Sequence, residues 1–121
     1  MSSDSYIESA RVYVQRSNAH DLEQLRAMFE SQATYHSSYA GDFEGRDIIL
    51  SMMQDFFARF PDVTWKVPAY HFLPDYSVRF EFVMTATDKE SGERIERHGL
   101  ERIDFSSSGL VSHIDVQPKS E

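Results

Sequence analysis

Residues 13–36 read YVQRSNAHDLEQLRAMFESQATYH, and their order decides the fold. Tyr13 and Val14 continue an apolar face begun by Tyr6 and Ala10, at the three- and four-residue spacing of a helix. Ser5 and Glu8 have the spacing of a capping box at the start of that helix. Ser17-Asn18-Ala19 breaks it. Asn18 is a good N-cap for a second helix, with Asp21 in the first turn, where the helix dipole favours negative charge. Leu22, Leu25, Met28 and Phe29 give the second helix its apolar stripe. Ala33, Tyr35 and Ser37 then alternate with Thr34, His36 and Ser38, the two-residue period of a strand.

Residues 38–45, SYAGDFEG, are expected to form a loop. A third helix starts near Gly45, with Ile48, Ile49, Met52, Met53, Phe56, Phe57 and Phe60 as a broad apolar face. Pro61 ends it. The period then changes to two. Val63, Trp65 and Val67 alternate with polar neighbours, and Pro68 marks an edge or a bulge. Residues 78–87, 95–105 and 110–116 follow as strands, separated by turns at Lys89-Glu90-Ser91-Gly92 and Ser106-Ser107-Ser108-Gly109. Helices followed by an antiparallel meander predict an α+β domain, with three helices covering one face of a curved sheet. The whole chain, 1–121, is expected to be one domain with an ordered core over about 6–116 and loose polar ends.

The composition bounds the function. The 121 residues bury roughly two thirds of the surface of the unfolded chain, enough for one core and a pocket inside it. Net charge is −8, which disfavours phosphate backbones and anionic membranes, so neither nucleic acid nor membrane is an expected partner. There is no cysteine, which excludes disulfides, thiolate catalysis and Cys-type zinc sites. MSSDSYIES at the N-terminus has neither the basic nor the apolar region of a secretory signal, and no apolar run approaches ~18 residues. A soluble cytoplasmic protein is the expectation. No phosphate loop, dinucleotide fingerprint or nucleophile elbow occurs. Glu96 and His98 share a strand face, but two such residues do not make a metal site, so no metal or cofactor is expected.

The element order resembles that of the nuclear-transport-factor-2-like superfamily, which includes SnoaL-like polyketide cyclases and ketosteroid isomerases. The resemblance covers residues 6–116. It is carried by Tyr13-Val14, Asn18-Ala19, Asp21-Leu22, Met28-Phe29 and Ala33-Thr34, then Gly45-Arg46, then Phe105 with Gly109. It implies a cone-shaped, mostly antiparallel sheet, an inner apolar pocket and a homodimer built on the outer sheet face. In ketosteroid isomerase a carboxylate base moves a proton while a Tyr hydroxyl and a neutral carboxylic acid stabilise the enolate oxygen. Aligned on the first helix, Tyr13 falls on the oxyanion Tyr. Counted back from Phe105 and Gly109, Glu101 falls on the neutral acid. Strand parity agrees, because Gly99, Glu101, Ile103 and Phe105 share a face with small or apolar company. A carboxyl among apolar walls has a raised pKa.

The expected position of the base is Ser37, whose hydroxyl is no base near neutral pH. His36, Asp42 and His71 are the replacements to consider. Tyr35, Ser37, Phe56, Phe60, Trp65, Phe80, Phe82, Met84, Ile103 and Ile114 are the candidate pocket lining. Competing structural roles exist. Tyr13 suits a core tyrosine, Glu101 an ion pair with Arg97 or Arg102, and His98 and His113 the outer sheet face. Arg79-Phe80-Glu81 has the spacing of the Arg-x-Asp pair of limonene epoxide hydrolases, but parity sends both charged residues outward. The expected function is binding of a small, mostly apolar carbonyl or polyketide-like molecule. Isomerisation, cyclisation or dehydration by oxyanion stabilisation would follow, with Tyr13 and Glu101 as catalytic residues. The alternative is a non-catalytic ligand-binding or dimerisation module of the same fold.

Overall fold

A computed structural model describes residues 2–119. The elements are α1 (Ser3–Asn18), α2 (Leu22–Arg26), β1 (Phe29–Ser37), β2 (Gly41–Glu44), α3 (Arg46–Arg59), β3 (Thr64–Lys66), β4 (Tyr70–Leu73), β5 (Ser77–Thr87), β6 (Arg94–Phe105) and β7 (Val111–Pro118). The strands form one seven-stranded sheet in the order β2-β1-β7-β6-β5-β3, with β4 also paired to β5. β1 and β7 run parallel, and the remaining pairs are antiparallel. The architecture is therefore α+β, three helices on a curved open sheet, as the change of period predicted. No helix among the described residues is long and apolar enough to cross a membrane.

The helix starts differ in detail from the sequence expectation. α1 is capped by Ser2, whose hydroxyl accepts from the Ser5 N–H at 3.2 Å, so it begins a turn before the expected capping box. Asn18 ends α1 and does not cap α2. Its side chain donates to the Trp65 carbonyl at 3.0 Å and accepts from the Trp65 N–H at 2.7 Å, pairing with β3 as a strand backbone would. Asp21 caps α2 instead, accepting from the Gln24 N–H. Between the helices His20 adopts φ 54°. Its ring stacks on Phe57 of α3 at 4.3 Å.

Phe29 opens β1 and does not extend the stripe of α2, and the expected loop 38–45 contains β2. Five strands follow α3 where the pattern suggested four. The extra one, β4, lies between Pro68 and Pro74 and is too short to show a period.

Along β5 the buried positions of alternating parity are Val78, Phe80, Phe82, Met84 and Ala86, and along β6 they are Gly99, Glu101, Ile103 and Phe105. These side chains share the inner face. α1 packs over β3, β4 and β5, while α3 packs over β1 and β2. The end of α3 is tied to the β5–β6 turn. Arg59 Nη2 donates to Asp88 Oδ2 at 2.9 Å, and the Lys89 N–H donates to the Arg59 carbonyl at 2.9 Å.

Candidate functional site

Between α1, α3 and the inner sheet face lies a cavity of about 440 Å³, within the usual range for small-molecule sites. α1 contributes Tyr13, Val14 and Ser17 to its wall, and β1 contributes Tyr35 and Ser37. Phe56, Phe60 and Trp65 form one aromatic side, with the Phe56 ring 4.9 Å from Phe60 and 6.0 Å from Trp65. Phe80, Phe82, Met84 and Glu101 form the sheet side. Ile103 and Ile114, expected in the lining, are not part of it. They face each other across β6 and β7 and are fully buried. That end of the cone is filled by Tyr6, whose ring packs 5.3 Å from Phe105 and 5.7 Å from Phe72.

Glu101 sits on β6 between Phe80 of β5 and Val116 of β7, both apolar and both in the cavity wall. It is 6% exposed. Its Oε2 has no hydrogen-bond partner among the described residues. No cation among the described residues pairs with it either. Arg102, one candidate, points to the other face and binds Asp104 and Asp75. Burial alone pushes the Glu101 carboxyl up to about 8, so it holds its proton at neutral pH.

Tyr13 and Tyr35 are held far on the protonated side, first by burial and then by the charge that an ionised Glu101 would carry. That shared influence brings the three side chains into one electrostatic neighbourhood. All three are hydrogen-bond donors at neutral pH.

Of the residues considered for the base, only Ser37 lines the cavity; the lining carboxylates are Asp55, which is exposed, and Asp88, which is paired with Arg59. Ser37 is buried and structural. Its Oγ accepts from the Tyr39 N–H at 3.1 Å and shapes the β1–β2 turn. His36 and Asp42 bond each other at 2.5 Å and lie outside the cavity wall, as does His71. His36 is shifted upward by that bond. Arg79 and Glu81 are exposed on the outer face, where parity put them. Among the described residues no group of three or more His, Asp and Glu is placed to hold a metal ion.

Sequence reasoning did not place several polar residues at the cavity. Asp55, Arg59, Asp88, Arg97 and Tyr39 all line it. Arg97 shares the strand parity of Glu101, which was a usable signal. Asp88 and Arg59 come together only through the α3-to-turn contact, which no local pattern announces. Asp88 is held below the usual carboxylate range, first by the Arg59 bond and then by the Glu90 N–H.

Residues 10–114 match the SnoaL-like domain family. The chain belongs to that family. No curated protein sequence matches this SnoaL-like domain. Solved structures do resemble it. One is SalBIII, an epoxide hydrolase/cyclase-like enzyme with a role in pyran ring formation in the polyether salinomycin. It is 17% identical with a TM-score of 0.84, over 94% of this chain and 90% of that one. A second, a proposed isomerase from Bacillus subtilis, is 16% identical with a TM-score of 0.82, over 96% and 88%. A third is a protein of ketosteroid-isomerase-like fold from Catenulispora acidiphila, crystallised with trimethylamine. It is 14% identical with a TM-score of 0.80, over 90% and 83%. At these identities the likeness is one of fold.

Proposed function

We propose that this SnoaL-like domain binds a small, mostly apolar carbonyl or polyketide-like molecule in the cone cavity and polarises its oxygen with Glu101 and Tyr13. The observation that carries the proposal is the neutral, unpartnered carboxyl of Glu101 in the wall of a largely apolar cavity that Tyr13 and Tyr35 also line. A buried polar atom without a partner costs free energy, and a ligand oxygen accepting its proton removes that cost. The supporting neighbours include a cyclase-like enzyme, which suits a ring-closing or isomerising reaction.

None of His36, Asp42 and His71 lines the cavity, and of the carboxylates that do, Asp88 is held by Arg59, which favours chemistry that runs on one acid. A single acid suffices when an enol adds to a carbonyl within one molecule. Glu101 protonates the carbonyl oxygen as the carbon–carbon bond forms. The proton of the enol O–H then returns to the carboxylate, leaving the acid restored. In dehydration of the resulting alcohol Glu101 protonates the departing hydroxyl, water leaves, and the carboxylate so formed takes the proton from the adjacent carbon. The engaged Ser37 hydroxyl supports a second reading, in which the cavity holds its ligand without turnover.

A direct test uses 2-naphthol as an oxyanion-like probe, titrated by its fluorescence. Tyr13→Phe and Glu101→Gln are each expected to weaken binding tenfold or more. Equal affinity in all three proteins would contradict the assignment. Turnover of cyclisable diketones by the wild type but not Glu101→Gln separates the catalytic reading from simple binding.

A further inference from the structure

Arg97 is the second polar landmark of a cavity that is otherwise largely apolar. It lies on β6 with the same inward parity as Glu101, and both line the cavity. Four residues of extended strand put their Cα atoms about 13 Å apart. Gly99 stands between them, opposite Phe82 on β5. A Cβ at Gly99 would meet Phe82 Cζ at 2.2 Å, so the far end of the ring occupies the space over the glycine and makes an apolar floor between the two ends. The Arg97 guanidinium rests 4.5 Å from the centroid of the Tyr39 ring. It forms no ion pair or hydrogen bond among the described residues, although the chain has 20 acidic side chains against 12 basic ones. The other arginine of the wall, Arg59, is neutralised by Asp88 at 2.9 Å. Asp55 also lines the cavity, but it is exposed and unpaired with Arg97.

A half-buried arginine stacked on a tyrosine presents a fixed planar fork to a carboxylate. The inner end has the opposite preference. Glu101 can donate a proton there, but a second anion beside it would be repelled once Glu101 ionises and poorly solvated by Phe80 and Val116. We infer that the cavity takes an elongated apolar monoanion, with its carbonyl or hydroxyl oxygen at Glu101 and its carboxylate at Arg97. The inference rests on the oxygen-polarising reading of Glu101 and adds the ligand's charge, length and orientation.

The test compares 6-hydroxy-2-naphthoate with 2-naphthol, two probes that share the ring oxygen and differ by a carboxylate at the far end. Wild-type protein is expected to bind the carboxylate probe at least tenfold more tightly, with a preference that shrinks at higher salt. Arg97→Gln brings the two probes to one affinity, and Arg97→Lys keeps only part of the preference because it keeps the charge but loses the planar fork. A preference that survives Arg97→Gln, or no preference in the wild type, overturns the inference. The two readings fail separately. If Glu101→Gln binds both probes as the wild type does while the Arg97-dependent preference persists, the oxygen-polarising reading falls and the anion end stands. If both probes depend on Glu101 and show no preference, only the anion end falls.

Discussion

Glu101 is a liability to stability at the pH where it is useful. Its carboxyl ionises near 4.5 in the unfolded chain and at about 8 in the folded one, because burial disfavours the charge. Both states hold the proton below pH 4.5, so nothing is lost there. As pH rises from 4.5 through about 8, the unfolded chain releases the proton while the native one keeps it, and stability falls. The loss is on the order of 3 kcal/mol at pH 7 and somewhat more by pH 8. Glu101→Gln cannot ionise. Urea unfolding is expected to show the variant and wild type diverging steadily between pH 5 and 8, with the variant gaining. Parallel pH profiles would contradict a buried neutral acid. The position of Glu101 was legible in the sequence, because the parity of 99, 101, 103 and 105 puts it inside. Its freedom from an arginine was not. Arg97 shares the parity of Glu101 and Arg102 adjoins it in sequence, and only the three-dimensional partners of each, Tyr39 for one and Asp75 with Asp104 for the other, decide the matter.

At the scale of elements, β5 and β6 make the cavity floor by a cross-strand pairing of Phe82 with Gly99. Gly99→Ala forces the Phe82 ring off the strand, since the new Cβ would also meet Cε2 at 2.6 Å and Cε1 at 2.8 Å. Overpacking of this kind costs about 1–3 kcal/mol. Thermal unfolding checks that loss, and adding Phe82→Leu to Gly99→Ala is expected to recover part of it by removing the clashing ring edge. A Gly99→Ala protein as stable as the wild type would mean the ring does not lie on the glycine. The long strands were readable because their period of two persists over many residues. β2 and β4 have four residues each, too few to show a period against flanking Gly and Pro. Helix boundaries slipped for a related reason. Asn18 has the chemistry of an N-cap, but β3 uses that chemistry from a distance of 47 residues in sequence.

For the whole molecule, the sheet has a covered face and an open one. The open face of β5, β6 and β7 carries Val83 and Leu100 among charged neighbours such as Glu81, Arg102 and Asp115. Pairing of two copies through this face remains our proposal. It is supported by Leu100 and Val83 lying diagonally across adjacent strands with no helix over them. Sedimentation equilibrium at micromolar concentration is expected to give twice the 14.0 kDa chain mass, and Leu100→Asp to return the monomer. A monomeric wild type would contradict it. Three helices on one face of a curved sheet were legible from element order, since helices first and a meander afterwards leave few packings. The cone and its inner pocket came from the family resemblance. The size of the cavity was not legible, because its wall includes the Arg59–Asp88 tie, a product of tertiary contact.

The oxygen-polarising site depends on one proton. A titration of glutamate labelled with ¹³C at the side-chain carboxyl, with Glu101→Gln used to assign the signal, reads that proton directly. A Glu101 resonance with its midpoint at about 8 is the predicted result. A midpoint near 4.5, the ordinary glutamate value, would mean an ionised carboxylate at neutral pH and would contradict the oxygen-polarising site.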